Sequence, residues 1–302
     1  MDPYQYFGIG SLAIKRSLFL NGQRDWNNVG PNHFRETIAI PKWANFMYAH
    51  LISGGSGGQG GFSAAAGTAR GGGGSSGTPA GLSGIIPTAL LPEHVDLLIG
   101  HGSLGGTSGV NALAAGISAI QWPQVYNNNS FNILQSTSSL VGTLASASAA
   151  GGSGATGTGV FSRTVIGTAD GNGTNGVAGG AQTGAAGATA GSSTGQVSAG
   201  GGGGGIGVAN TPFGGGAVNN TFGAIAGGTG DGGNGNDGYM PDPRFTGDLF
   251  VRTGGSGGAS GTLQGGRGGN GGWGCSGGGG GAGVTGGQGG SGGPGFVWLI
   301  FF

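Results

Sequence analysis

The sequence predicts an all-β, partly irregular fold, in which short β-strands are combined with a bundle of glycine-rich polyproline-II (polyglycine-II) helices. Three observations predict it. Glycine supplies 84 of 302 residues and charged residues only 7%, yet 35% of the chain is hydrophobic; disordered chains are short of apolar residues and rich in charge. Glycine holds every third position from Gly265 to Gly295 without a slip. Short apolar stretches run directly into glycine at several places, and the chain closes on FVWLIFF.

The elements follow in chain order. Residues 1–33, MDPYQYFGIGSLAIKRSLFLNGQRDWNNVGPNH, set Lys15, Arg16, Arg24 and Asp25 among aromatic and aliphatic side chains. They read as an N-terminal attachment arm for a partner protein, or as a first hairpin, SLFLNGQRDW, turned at Asn21-Gly22; the two are compatible. Residues 34–302 form one glycine-rich domain. In FRETIAIPKWANFMYAHLIS (34–53), Phe34, Ile38 and Ile40 alternate, Pro41 interrupts, and a second apolar strand leads to Gly54. EHVDLLIGHGSLGG repeats the handover, with Val95, Leu97 and Ile99 alternating before Gly100, and DLFVRTGGSGG (248–258) repeats it again. Within the glycine-poor insertion 107–150, VNALAAGISAI (110–120) is the one plausible short helix.

Glycine-rich rods are expected at 54–61, 71–77, 151–159, 171–191, 200–207 and 227–238. The most regular rod spans 265–295, followed by a closing strand at 296–302. A period of three matches polyproline II, with 3 residues per turn, about 3.1 Å rise and no internal hydrogen bonds. Collagen is excluded, because the second position is also glycine except at Cys275 and Val284, and the chain has only 11 prolines. Two bare edges let neighbouring rods approach and exchange backbone hydrogen bonds, which burial demands. Gly268, Gly271 and Gly278 are expected on those edges. The third edge, with Arg267, Asn270, Trp273, Ser276, Ala282, Thr285, Gln288 and Ser291, is expected to face solvent. Phe296, Trp298 and Ile300 are the expected core of the closing strand.

The bulk chemistry excludes several functions. Ten acidic and ten basic groups balance, and Lys15 and Lys42 are the only lysines. That gives no electrostatic footprint for nucleic acid. A neutral surface resists self-association poorly, which suits life inside an assembly, a homo-oligomer included. Cys275 is the single cysteine, so no internal disulfide framework is available. The start lacks the basic-then-apolar order of a secretory signal. No apolar run approaches the ~20 residues of a membrane helix.

Tempting motifs fall short. Neither lysine follows a phosphate-cradling glycine loop, so no nucleotide site is expected. GGNGNDGYM (232–240) fits one calcium-binding nonapeptide, with Asp237 as ligand and Asp231, Asp242 and Asp248 nearby. That site forms between stacked repeats, and a second copy is missing. His94, Asp96 and His101 offer a strand-borne trio, more simply read as structural than as zinc ligands. No nucleophile elbow or carboxylate pair stands out. The expectation is a non-enzyme without cofactor or metal.

The informative residues lie between rods: AIQWPQVYNNNSFNI (119–133), ANTPFGGGAVNNTFG (209–223) and GYMPDPRFTG (238–247). Loops joining stacked rods gather at the ends of the stack, where recognition commonly resides. Trp122, Tyr126, Asn128, Phe131, Phe213, Phe222 and Tyr239 are the candidate contacts, since aromatic residues and asparagine suit interfaces. The competing reading is that they cap the ends of the bundle.

IAIPKWANFMYAHLISGGSGGQGG, HVDLLIGHGSLGG and GGSGGPGFVWLIFF, in that order, resemble the glycine-rich domain of bacteriophage tail and virion proteins. The rods also resemble the glycine-rich adhesins at the tips of some T-even-like phage tail fibres, whose polyglycine helices stack into a sandwich. The likeness spans roughly 34–302. It departs where the family often carries tryptophan before the first glycine block, since this chain has Ile52-Ser53.

The resemblance implies a non-enzymatic virion protein on the extracellular particle surface. Its task would be receptor binding as a tail-fibre tip or spike. Other virion proteins would be held through residues 1–33, and the target would be a host cell-surface protein or glycan. The alternative is a structural capsid decoration, penton or adaptor protein with no receptor role. An ice-binding protein would need a flat, regular face of small residues, and a disordered glycine-rich matrix protein would need no packing at all.

Overall fold

The computed structural model describes residues 16–24, 32–79, 81–123, 132–136, 169–170, 176–191, 197–220, 223–241 and 252–302. Among them the chain is all-β, with one 3-10 turn at Thr88–Leu90 and no α-helix. Strands β1 (Arg16–Asn21), β2 (His33–Ala39), β3 (Phe46–Ile52), β4 (Gly81–Pro87), β5 (His94–Gly100), β6 (Ser118–Gln121) and β7 (Asn132–Ser136) lie in the first half. Five short ones follow: β8 (Ala169–Asp170), β9 (Ala190–Gly191), β10 (Val197–Ser198), β11 (Val218–Asn220) and β12 (Gly223–Ile225). The last two are β13 (Arg252–Thr253) and β14 (Phe296–Phe301).

Two antiparallel sheets carry the apolar core. One has the order β1-β14-β3-β4-β8 and the other β2-β5-β6-β7. Strands have a side-chain period of two, so Met47, Ala49 and Leu51 of β3 share a face with Val297, Leu299 and Phe301 of β14. That face packs on Val95, Leu97 and Ile99 of β5, Ile120 of β6 and Leu134 of β7. The outer face of the first sheet is apolar as well. Phe296, Trp298 and Ile300 cluster there with Tyr48 and Ile52, against Phe19 and Trp273. FVWLIFF is apolar throughout because both of its faces are covered. The expected core of β14 named one face only; Val297, Leu299 and Phe301 form the other.

The glycine segments run on from these strands and bond to one another. Gly55, Gly58 and Gly61 donate to the carbonyls of Gly293, Gly290 and Gly287, at 2.9, 2.8 and 2.8 Å. Ser103, Gly106 and Gly109 donate to Gly55, Gly58 and Gly61. Partners recur every third residue, not every second as in a β-ladder.

The run 265–295, regular in sequence, folds back twice. Gly278 and Gly281 donate to Gly269 and Gly266, and Gly287, Gly290 and Gly293 donate to Gly281, Gly278 and Cys275. It is therefore three antiparallel passes, 265–273, 275–283 and 286–295. The first reversal uses Gly274 at φ 63°, a left-handed conformation that favours glycine. The second turns at the exposed Val284.

The middle pass is the centre of the bundle. It bonds to 53–62 (Gly280 to Gln59), 71–79 (Gly73 to Gly280), 199–206 (Gly279 to Gly201), 253–261 (Gly258 to Gly279), 265–273 and 286–295. This corrects the expectation that the third edge faces solvent. Arg267, Thr285 and Gln288 do, but Ser276, Ala282 and Ser291 are buried and Trp273 packs on Phe296. The middle pass needs small residues throughout because it has neighbours all round, and GCSGGGGGAG supplies them. Where glycine gives way to serine, the hydroxyl takes a backbone amide: Ser276 Oγ from Gly200, Ser256 Oγ from Asn236, Ser260 Oγ from Phe213.

Cys275 begins this central pass and is fully buried. Burial pushes its thiol up to about 11, against an opposing pull from the Arg252 charge. Only the thiolate reacts, so the native protein is expected to resist alkylation at mildly alkaline pH and to label fully in denaturant. Rapid labelling of the native protein would contradict the packing.

Two further expectations are corrected. Residues 110–120 are not helical: 111–117 carry no regular secondary structure and β6 begins at Ser118. Gly54 donates to Gly116, and a Cβ on Gly116 would lie 1.7 Å from the Asn32 carbonyl oxygen. The small residues of ALAAG serve this close approach, not helix propensity. Asn21-Gly22 is also not a hairpin turn. β1 pairs with β14, Gly22 donates to Gly295, and Gly102 donates to Gln23, so the chain runs straight on beside the glycine segments.

Candidate functional site

The molecule has two unlike ends. At one, the sandwich closes on aromatic residues: Phe46 and Phe302 stack with ring centroids 5.8 Å apart, and Trp43 and Leu90 are exposed nearby in the chain turns. At the other, the glycine segments turn back at 62–70, 107–110, 181–184, 207–212, 229–232, 262–264 and 284. Backbone pairs at this far end include Arg70 with Ile206, Phe62 with Gly71, and Gly265 with Thr285. Large aliphatic residues stand out from these turns: Val110 at 50% exposure, Val208 at 71%, Leu263 at 74% and Val284 at 37%.

A buried arginine fixes part of this end. Arg70 is fully buried; its Nη1 donates to the Ala64 carbonyl at 2.9 Å and its Nη2 to Asn210 Oδ1 at 2.5 Å. Asn210 sits at φ 55°, the one non-glycine residue with positive φ among those described. The guanidinium thus ties the turn at 64–69 to the turn at 207–210. Each hydrogen bond from a charged donor is worth roughly 1.5–3 kcal/mol. Arg70→Ala is expected to cost about 3 kcal/mol in denaturant unfolding. Arg70→Lys should rescue little, because an ammonium lacks the planar fork that spans both acceptors. An unchanged midpoint in the alanine variant would contradict the clamp.

A second feature flanks the same end. Asp231, Asn234 and Asp237 recur every third residue and cap amides of neighbouring passes. Asp231 takes the N–H and hydroxyl of Thr262, Asn234 Oδ1 takes the N–H of Arg267, and Asp237 Oδ1 takes the N–H of Asn270. The hydrogen bonds from Thr262 hold the Asp231 carboxyl below its usual pKa. The aspartates of the calcium-like motif are thereby engaged with backbone amides, while Asp242 and Asp248 lie outside the described residues. Beside this row lies an open depression of about 850 Å³, bounded by Thr107, Asp231, Leu263, Arg267, Thr285 and Gln288 among others.

The candidate contacts read from sequence are not brought together. Trp122 follows β6 and is exposed at the sandwich end. Tyr239 is exposed where the glycine segments join the sandwich, its N–H on Thr253 Oγ1. Phe213 lies half-buried at the far end, its ring facing Gly184 and its backbone bonded to Ser260. Tyr126, Asn128, Phe131 and Phe222 lie outside the described residues. Gly268, Gly271 and Gly278 are buried, each with a neighbouring carbonyl oxygen where a Cβ would sit. Of the strand-borne trio, Asp96 pairs with Arg35 and accepts from Thr37, and His101 Nδ1 accepts the Gln23 N–H at 2.8 Å; His94 is exposed.

The aromatic reading missed Val110, Val208, Leu263 and Val284. Their signal was present: each is a large aliphatic within two residues of glycine and followed by a polar or small residue, as in SGVN, IGVA, GTLQ and AGVT. Where such a residue is exposed, as these four are, it marks a turn; Ile206, also flanked by glycine, is instead buried beside the Arg70 turn. No protein-family model matches the chain, and no curated protein matches it.

Proposed function

We propose that this chain is a non-enzymatic bacteriophage virion protein that attaches the particle to its host, as a tail-fibre tip, spike or other receptor-binding protein. In this reading the glycine segments are polyglycine-II helices forming a rigid bundle. The three-residue step of their hydrogen bonds supports that geometry, because a helix with three residues per turn and no internal bonds must bond outward on every edge. The sandwich end, with Trp43, Phe46, Leu90 and the start of β1 at Arg16, holds other virion proteins. The far end meets a cell-surface protein or glycan.

The observation that carries the reading is the two-ended build. Extended backbones, braced on all sides, hold a set of turns with exposed aliphatic tips at one end, away from the apolar sandwich. Loops on a rigid scaffold can vary in sequence without disturbing it, which suits recognition.

Gold-labelled antibody imaging on particles and cells tests the proposal. Label at tail tips or spike vertices, with adsorption blocked by the free protein, is the expected result. Label spread across a capsid would instead support a decoration or adaptor role. Label only on cells or matrix would sink the virion reading.

A further inference from the structure

We infer that the depression beside the far-end turns is a binding site for a short, uncharged oligosaccharide, an inference that rests on the attachment reading and names the ligand class for it. The depression, about 850 Å³, lies within the ~300–1,000 Å³ range of small-molecule sites. Its walls come from several passes of the bundle: Thr107 from one, Gln264 and Arg267 from a second, Thr285 and Gln288 from a third.

The chemistry of the walls selects the ligand. The side chains of Thr107, Gln264, Thr285 and Gln288 make no hydrogen bond to other described residues. Two hydroxyls and two carboxamides are thus left with donors and acceptors side by side. Vicinal sugar hydroxyls present the same alternation. Leu263, 74% exposed and the one large aliphatic side chain in the lining, offers a surface for the C–H face of a ring.

Other ligand classes fit less well. A metal cation would need carboxylate oxygens, and both oxygens of Asp231 already accept from Thr262. An anion would meet Arg267, but Asp231 lines the same space and offsets that charge. An apolar peptide would find Leu263 alone to bury against. A neutral polyhydroxylated chain uses what is there.

The site is also preorganised. Backbone at Gly265, Gly286 and Gly287 is locked by neighbouring passes: a Cβ on Gly287 would lie 2.0 Å from the Gly266 carbonyl oxygen. Asn234 and Asp231 fix the amides of Arg267 and Thr262 from the other side. Little ordering cost is left for binding to meet.

The test uses the full chain in solution against immobilised short uncharged oligosaccharides, with acidic oligosaccharides and intact bacterial cells in parallel. Binding to one or more uncharged oligosaccharides is expected, weakened roughly tenfold by Gln288→Ala and by Gln264→Ala, the loss of about one good hydrogen bond each. Both side chains are exposed, so melting temperatures should stay unchanged and certify the fold. Binding to no uncharged oligosaccharide, or binding indifferent to both substitutions, overturns the inference. Preference for the acidic panel also overturns it. Adsorption to cells without oligosaccharide binding removes the groove and leaves attachment standing. Oligosaccharide binding without adsorption does the reverse.

Discussion

Gly278→Val is expected to abolish folding, or to cost more than about 4 kcal/mol, a loss reserved for the severest substitutions. A Cβ at Gly278 would lie 2.1 Å from the Ser256 carbonyl oxygen and 2.5 Å from its carbon. Both obstacles are backbone, held by their own hydrogen bonds, so no rotamer change relieves the clash. Shifting the pass would also break the bonds from Gly278 to Gly269 and from Gly290 to Gly278. Even Gly278→Ala carries the offending atom. Gln288→Val, ten residues on in the same period-three run, places its branched side chain in solvent and should stay within about 0.5 kcal/mol. Equal urea midpoints for the two variants would refute the bundle.

Leu299→Asp is the second large effect, at about 4 kcal/mol or more. Leu299 is fully buried, paired across the sheet with Leu18 and Ala49, and packed within the core shared with β5 and β6. A carboxylate there is either buried without a partner or held neutral far from its ordinary pKa, and both are costly. Leu299→Ala separates packing from charge and should lose roughly 2–5 kcal/mol. Phe302→Ala, half-exposed one residue past the end of β14, should lose clearly less. The glycine passes should melt together with the sandwich in these variants, because Gly295 is bonded to Gly22 and Gly100 at the junction. A Leu299→Asp protein as stable as the parent would mean that β14 does not close the domain.

The all-β class and several elements were legible in sequence for definite reasons. Alternation at Val95, Leu97 and Ile99 marks a strand whatever surrounds it. Glycine at every third position marks a chain with bare edges. The two reversals inside 265–295 do not show in the period itself, since turning the chain at Gly274 and Val284 does not break the phase of the repeat. The clue was the third position: Arg267, Asn270, Gln288 on the outer passes, but Ser276, Gly279, Ala282 on the central one. The short-helix expectation at 110–120 failed because helix propensity, even that of alanine, is readily overridden by tertiary contacts, and contact with bare backbone demands small residues. Asn21-Gly22 failed as a hairpin because β14, almost 280 residues downstream, is the better partner for an apolar strand. Of the site, the aromatic loop residues drew attention for their type, whereas the far-end turns are marked by position: a lone valine or leucine where a glycine pass must end.

Residues 275–283 are the hydrogen-bonded middle of the packed glycine segments. Native-state amide hydrogen exchange, resolved along the chain, tests it most directly. The amides of 275–283 are expected to be protected as strongly as those of β14, exchanging only on global unfolding, while exposed residues of the far-end turns exchange fast. Exchange of 275–283 at the rate of a free glycine-rich peptide, with β14 still protected, would contradict it.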